Sequence, residues 1–207
     1  MLTKDLPSGK IEDTVMKEVD LHKIKKQLSK ALDAKRYEHT LGVAYTSAAL
    51  AMCHNANMES AYLAGLLHDC AKCLDNDKKI QICEKHNMEI SAAEQKNPYL
   101  LHAKAGGCLA EKKYHVMDQE IINAIIYHTT GRPNMTLLEK IVYVADYIEP
   151  GRSHAPDLTR IRTLAFHNLD EALLQILEDT LHYLKESTKE IDPLTQETYD
   201  YYKGLNL

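Results

Sequence analysis

The sequence predicts an all-α protein, a bundle of roughly eight or more helices joined by short connections. Three observations carry this expectation. Apolar residues recur at the three-to-four-residue spacing of an amphipathic helix through most of the chain. No stretch alternates polar and apolar residues with period two, so no half-buried strand is indicated. Turn-forming residues separate the periodic stretches, at Asn55 to Asn57, Asp75, Asn97-Pro98, Gly131 to Pro133 and Pro150-Gly151.

Taken in order, residues 1 to 19 are polar and mixed around Pro7, Ser8 and Gly9, and are expected to form a mobile lead-in. Residues 20 to 207 are then expected to form one domain. In "DLHKIKKQLSKAL", Leu21, Ile24, Leu28 and Leu32 share a stripe behind Asp20 as N-cap. "RYEHTLGVAYTSAALAMC" and "MESAYLAGLLHDCAK" supply the second and third helices, the latter running through His68 and Asp69 to Lys72. "DNDKKIQICEKH", "PYLLHAKAGGCLAEKKY", "QEIINAIIYH", "LLEKIVYVADYIE" and "LDEALLQILEDTLHYLKE" continue the pattern. Inside the first "GG" helix each glycine costs about 1 kcal/mol relative to alanine, so Gly106 and Gly107 are expected at a close helix contact. No fixed repeat suggests a solenoid.

Composition narrows the function. The formal net charge of -5 leaves no basic stripe for a nucleic-acid polymer. The longest apolar run, "AYLAGLL", is far short of the ~20 residues that span a bilayer, and no apolar signal segment opens the chain. Five cysteines without a disulfide-like framework fit a reducing compartment, so a cytoplasmic protein is expected. Cys70 and Cys73 have zinc-like spacing, but no second close pair exists. A glycine-rich phosphate loop, a GxSxG elbow and an HExxH helix are absent.

Polar residues on apolar faces are few and costly. His39 shares a face with Val43 and Thr46, and His68-Asp69 close an apolar helix. His102 follows "PYLL", in the first turn or so of its helix, His128 ends a stripe with Ile121 and Ile125, and Asp146 lies within "IVYVADYIE". Singly, each histidine is best explained as a core imidazole bonded to a carbonyl. Asp146 is harder to explain that way, because an ionised carboxylate among apolar neighbours needs a cation. Together, four imidazoles and two carboxylates from five helices form the ligand mixture suited to iron, manganese, cobalt or zinc in a bundle interior. His22, His54, His86, His115 and His182 are expected to be solvated, and His154 and His167 are left open.

The order His39, His68-Asp69, His102, His128, Asp146 resembles the HD superfamily of metal-dependent phosphohydrolases. The strings "RYEHTLGVA", "AGLLHDCAK", "LLHAKAGG" and "EKIVYVADYIEPGR" resemble its YqeK-type branch, symmetrical bis(5'-nucleosyl)-tetraphosphatases that cut diadenosine tetraphosphate into two ADP. The resemblance implies an HD-domain helical bundle with iron as the divalent transition metal, held by His39, His68, Asp69 and Asp146. His102 and His128 would contact substrate phosphates or hold a second metal ion. Arg36 and Arg152 would grip phosphate oxygens, with His39 and Asp146 also facing the substrate. Asp69, Lys72, His102 and His128 would be the catalytic set, with Lys72 helping the leaving group. A homodimer is implied as well. Two departures stand out: Asp157 follows Pro156 where the family tends to have a Pro-Gly pair, and Asp192 in "IDPLT" replaces a family histidine.

The implied reaction is attack of metal-activated water on a dinucleoside polyphosphate, with arginine and lysine sharing its charge and ADP leaving. Two alternatives are another HD nucleotide phosphohydrolase, acting on a deoxynucleoside triphosphate, a guanosine alarmone or a cyclic dinucleotide, and a non-catalytic nucleotide or metal sensor.

Overall fold

The computed structural model describes residues 20–153, 155–187 and 191–205. The expected lead-in at residues 1 to 19 lies outside them. The described residues contain eleven α-helices and no strand. They are α1 (Leu21–Ala31), α2 (Ala34–Cys53), α3 (Met58–Leu67), α4 (Asn76–Lys85), α5 (Ala92–Lys96), α6 (His102–Lys112), α7 (Gln119–Tyr127), α8 (Leu137–Ile148), α9 (Leu158–Ala165), α10 (Leu169–Glu186) and α11 (Pro193–Lys203). No helix among them is long and apolar enough to cross a membrane.

Local chemistry sets most helix starts. Asp20, Asp33 and Asn57 accept the backbone N–H three residues on, while Ser91 with Glu94 and Thr136 with Glu139 form reciprocal capping boxes. On α1, Ile24 and Leu28 are buried, as is Leu32 just beyond its end, whereas Leu21 is exposed.

Small residues bring the central helices together. A Cβ on Gly65 of α3 would lie 2.9 Å from the Ala44 Cα of α2, so only glycine allows this approach. A Cβ on Gly107 of α6 would lie 2.5 Å from Ile126 Cγ1 of α7, as expected for the glycine pair. Helix α8 is enclosed by its neighbours, with Ile141, Val142, Val144 and Ala145 fully buried, and α10 packs across it.

Four features differ from the sequence expectation. Helix α3 stops at Leu67 instead of continuing to Lys72. The Gly65 carbonyl accepts the His68 side chain at 2.6 Å, and the chain then tightens through bonds from Cys70 to Leu67, Lys72 to Asp69 and Leu74 to Ala71. "PYLL" is a separate 3-10 turn before α6 rather than its first turn. The helices α5, α9 and α11 lie outside the stretches picked out by periodicity. His54, expected to be solvated, instead donates from Nε2 to the Ala165 carbonyl at 2.7 Å and ties α2 to α9.

Candidate metal and phosphate site

Helix ends build the site. His68 and His128 are the C-caps of α3 and α7, and His102 is the first residue of α6. Helix ends leave carbonyls without an intrahelical amide, and these imidazoles use carbonyls three residues back. His68 Nδ1 donates to Gly65 at 2.6 Å, His102 Nδ1 to Tyr99 at 2.9 Å and His128 Nδ1 to Ile125 at 2.7 Å. His39, in mid α2, has no free carbonyl nearby and donates from Nδ1 to Glu149 Oε1 at 3.0 Å. All four Nδ1 atoms therefore carry the proton and each Nε2 keeps a lone pair, that of His102 accepting from Lys72 Nζ at 2.9 Å.

Those Nε2 atoms share one centre with two carboxylates. His39 Nε2 lies 3.0 Å from Asp146 Oδ1, and His68 Nε2 lies 3.4 Å from Asp69 Oδ2 and 3.9 Å from Asp146 Oδ1. Asp69 Oδ1 is 3.3 Å from His102 Nε2 and 3.6 Å from His128 Nε2. His102 and His128 approach Nε2 to Nε2 at 3.2 Å. Two groups have ligand atoms all within 4.8 Å of one another: His39, His68 and Asp146, and His68, Asp69 and His128. They meet at His68.

The donor set fits a cation. His39 Nε2, His68 Nε2 and Asp69 Oδ1 are buried without a hydrogen-bond partner, an arrangement that is costly unless something positive satisfies them. Acceptor faces acceptor across 3.0 to 3.4 Å, which neutral imidazole and carboxylate would not choose in isolation. Imidazole with carboxylate is the ligand chemistry of borderline divalent metals.

Cations border this cluster. Arg36 Nη1 meets Asp69 Oδ2 at 2.8 Å, and Arg152 holds Asp146 through Nη2 at 2.7 Å and its carbonyl through Nε at 3.0 Å. Lys72 Nζ donates to His102 Nε2 at 2.9 Å and stands 3.6 Å from Asp69. Burial works against ionising Asp69, yet its carboxyl is held well below its ordinary range, with the Lys72 ammonium among the causes. Asp146 is likewise held well below against its burial, with the Arg152 guanidinium among the causes. Burial, then the Lys72 charge, push His102 well below the usual imidazole range, so it stays neutral with its lone pair turned inward. The cluster opens into a cleft of about 1050 Å³ that Arg36, Lys72, Thr129 and Arg152 help to line.

A family model for the HD domain matches residues 36–151, which include His39, the His68-Asp69 doublet, His102, His128 and Asp146. The chain belongs to the HD family. It is 39% identical over 178 residues to the symmetrical bis(5'-nucleosyl)-tetraphosphatase of Bacillus subtilis, covering 86% of this chain and 92% of that one. The Staphylococcus aureus protein of the same name is 33% identical over 186 residues, 89% of this chain and 95% of that one. A crystal structure from Clostridium acetobutylicum, described as a predicted HD superfamily hydrolase involved in NAD metabolism, superposes with a TM-score of 0.86 at 42% identity. That superposition covers 88% of this chain and 96% of the other.

All nine residues singled out from the HD resemblance thus stand together. Each histidine read singly as carbonyl-bonded is carbonyl-bonded, except His39, and the same bonds are what free the opposite nitrogen. Sequence reasoning missed Glu149 and Thr129. Glu149 is 3% exposed, carries the His39 proton contact, and accepts the Gly151 N–H at 2.6 Å. Glycines make its berth, since a Cβ on Gly42 would lie 2.5 Å from Glu149 Oε2. Its signal was available: a carboxylate at a helix C-terminus, disfavoured by the macrodipole, like Asp146 three residues earlier. Thr129 Oγ1 lies 3.1 Å from His128 Nε2 and 3.3 Å from His102 Nε2, and nothing in the sequence marked it. Cys70 and Cys73 are not brought to the site: Cys70 is buried with Sγ toward the Gly106 carbonyl, and exposed Cys73 faces Asp33.

Proposed function

We propose that this chain hydrolyses diadenosine tetraphosphate symmetrically to two molecules of ADP. The observation that carries the reading is the meeting of four Nε2 lone pairs and two carboxylates beneath three cationic side chains. Near full-length similarity to proteins named for this reaction supports it.

In this reading His39, His68, Asp69 and Asp146 hold a divalent ion, with iron as its identity, and His102 and His128 face the substrate phosphates or a second ion. When bound, such an ion neutralises phosphate charge and lowers the pKa of water toward neutrality. The remaining work belongs to side chains. Glu149 fixes His39 with its proton on Nδ1, keeping Nε2 an acceptor. Asp69 orients the nucleophilic water through Oδ1, the oxygen without a hydrogen-bond partner. Arg36 and Arg152 each commit part of a guanidinium to a carboxylate and present their remaining N–H groups to the cleft, where phosphate oxygens can accept them. Lys72, anchored on neutral His102, supplies positive charge to the departing ADP oxygen. Cytoplasmic operation as a homodimer belongs to the same proposal.

The test is anaerobic purification with metal analysis, then turnover of diadenosine tetraphosphate with product identification. Two ADP per substrate is the expected outcome; ATP with AMP, or no turnover by the metal-loaded protein, refutes it. Asp69→Ala is expected to lose both metal and activity while keeping its helicity. Sedimentation velocity tests the dimer.

A further inference from the structure

The candidate metal ligands and the cations beside them line one part of the cleft. The other end lies between α8 and α10, where Tyr143, Tyr147, Ile176, Asp179, Thr180 and Tyr183 form its walls. The basic side chains that line the cleft, Lys35, Arg36, Lys72 and Arg152, come from α2, the turn after α3 and the segment after α8, not from α10. The cleft is therefore polarised: cations surround the metal ligands, and aromatic rings with one carboxylate line the far arm.

That carboxylate is held in place. Asp179 Oδ1 accepts from Gln175 Nε2 at 3.1 Å and Oδ2 accepts from the Tyr147 hydroxyl at 3.2 Å. Each carboxylate oxygen retains a further lone pair after these bonds. Tyr147 directly follows Asp146, so α8 delivers a candidate ligand and a wall of the far arm from adjacent positions about 100° apart. Flat rings beside a fixed acceptor suit a planar heterocycle with an outward-pointing amino group, because bases stack on aromatic faces and amino groups donate to carboxylates.

We infer that the arm between α8 and α10 is the nucleobase pocket, and that Asp179 selects amino-bearing purines by accepting their exocyclic N–H. This deepens the tetraphosphatase reading and rests on it. Phosphates lie against Arg36, Arg152 and the metal ligands, the ribose crosses the cleft, and the base rests against Tyr147 with its amino group on Asp179. Asp179 is a specificity residue and takes no part in bond breaking.

The test compares binding of ADP with purine riboside 5'-diphosphate, which lacks only the amino group, by calorimetry on metal-loaded protein. ADP is expected to bind about tenfold to 150-fold tighter, the range for one hydrogen bond to a charged acceptor. Asp179→Ala is expected to reduce that ratio to within about twofold, while Asp179→Asn, which keeps an acceptor oxygen, preserves a preference for ADP. The ratio is the readout because a general packing defect weakens both nucleotides alike. Equal binding by the unaltered protein, a preference that survives in Asp179→Ala, or its loss in Asp179→Asn overturns the pocket assignment. If diadenosine tetraphosphate is still cut to two ADP in that case, only the inference falls. If neither nucleotide binds and no substrate is cut, the tetraphosphatase reading falls with it.

Discussion

Replacing Glu149 with Gln isolates the contribution of a residue that touches no substrate in the proposed reaction. Its two oxygens accept from His39 Nδ1 at 3.0 Å and from the Gly151 amide at 2.6 Å. Both partners are donors. A glutamine amide has one accepting oxygen and one donating nitrogen, so either His39 or Gly151 must face an N–H. The residue is 3% exposed, and water cannot easily replace the lost bond. Losing one hydrogen bond to a charged group costs about 1.5 to 3 kcal/mol, or roughly tenfold to 150-fold if it falls on the ligand geometry of His39. Supporting partners of metal-binding histidines typically contribute about 10- to 100-fold in metal affinity, which agrees. The assay is chelator competition for the divalent ion, paired with thermal unfolding in chelator. Weaker binding by one to two orders of magnitude is expected, with only a modest change in metal-free stability. Unchanged affinity would refute the argument that Glu149 sets the His39 tautomer.

Three further outcomes follow from the same geometry. Metal-free stability should decline as pH falls from about 6.5, where unfolded His102 takes up a proton, through its depressed folded value; the slope is up to ~1.4 kcal/mol per pH unit, and His102→Gln should flatten it in urea titrations across that window. The held-down carboxyls of Asp69 and Asp146 keep their contribution above their usual pKa of 3.8 and lose it only as pH falls below that. In native protein at mildly alkaline pH, a thiol reagent should modify exposed Cys53 and Cys73, because Cys70 and Cys83 are buried with pKa values pushed up to about 12 and Cys108 is buried with a raised value. Five thiols reacting before unfolding would contradict this. Gly107→Ala gains about 1 kcal/mol of helix propensity but sets a methyl 2.5 Å from Ile126 Cγ1, so a lower melting temperature and weaker metal binding are expected as α6 and α7 separate.

The candidate site was more legible in the sequence than its surroundings. Imidazole and carboxylate are rare enough on apolar faces that five helices announced their contributions, and the HD order grouped them. Glu149 was passed over although its helix-end position was visible, because Gly42 and Gly151, which leave room for its buried carboxylate, carry no hydrophobic signal. Asp179 escaped because it lies among Glu178 and other polar residues on a helix with an ordinary solvated face, and its partner Tyr147 comes from 32 residues away. Helix α5 has five residues, too few for a periodic pattern, and α9 has eight. The early end of α3 was illegible for another reason: competition between the His68 side chain and a backbone amide for the Gly65 carbonyl leaves no trace in hydropathy.

The Nδ1 bonds of His68, His102 and His128 have a consequence beyond ligation. His68 and His128 are fastened to carbonyls in the last turns of α3 and α7, and His102, the first residue of α6, to the 3-10 turn before it, so an ion joining these rings also joins the three helices. Its binding free energy is then part of the folding free energy. A cell short of the metal would hold fewer intact copies as well as less active ones, because the stripped chain spends more time open to proteases. Supply of the ion would regulate this protein through its lifetime.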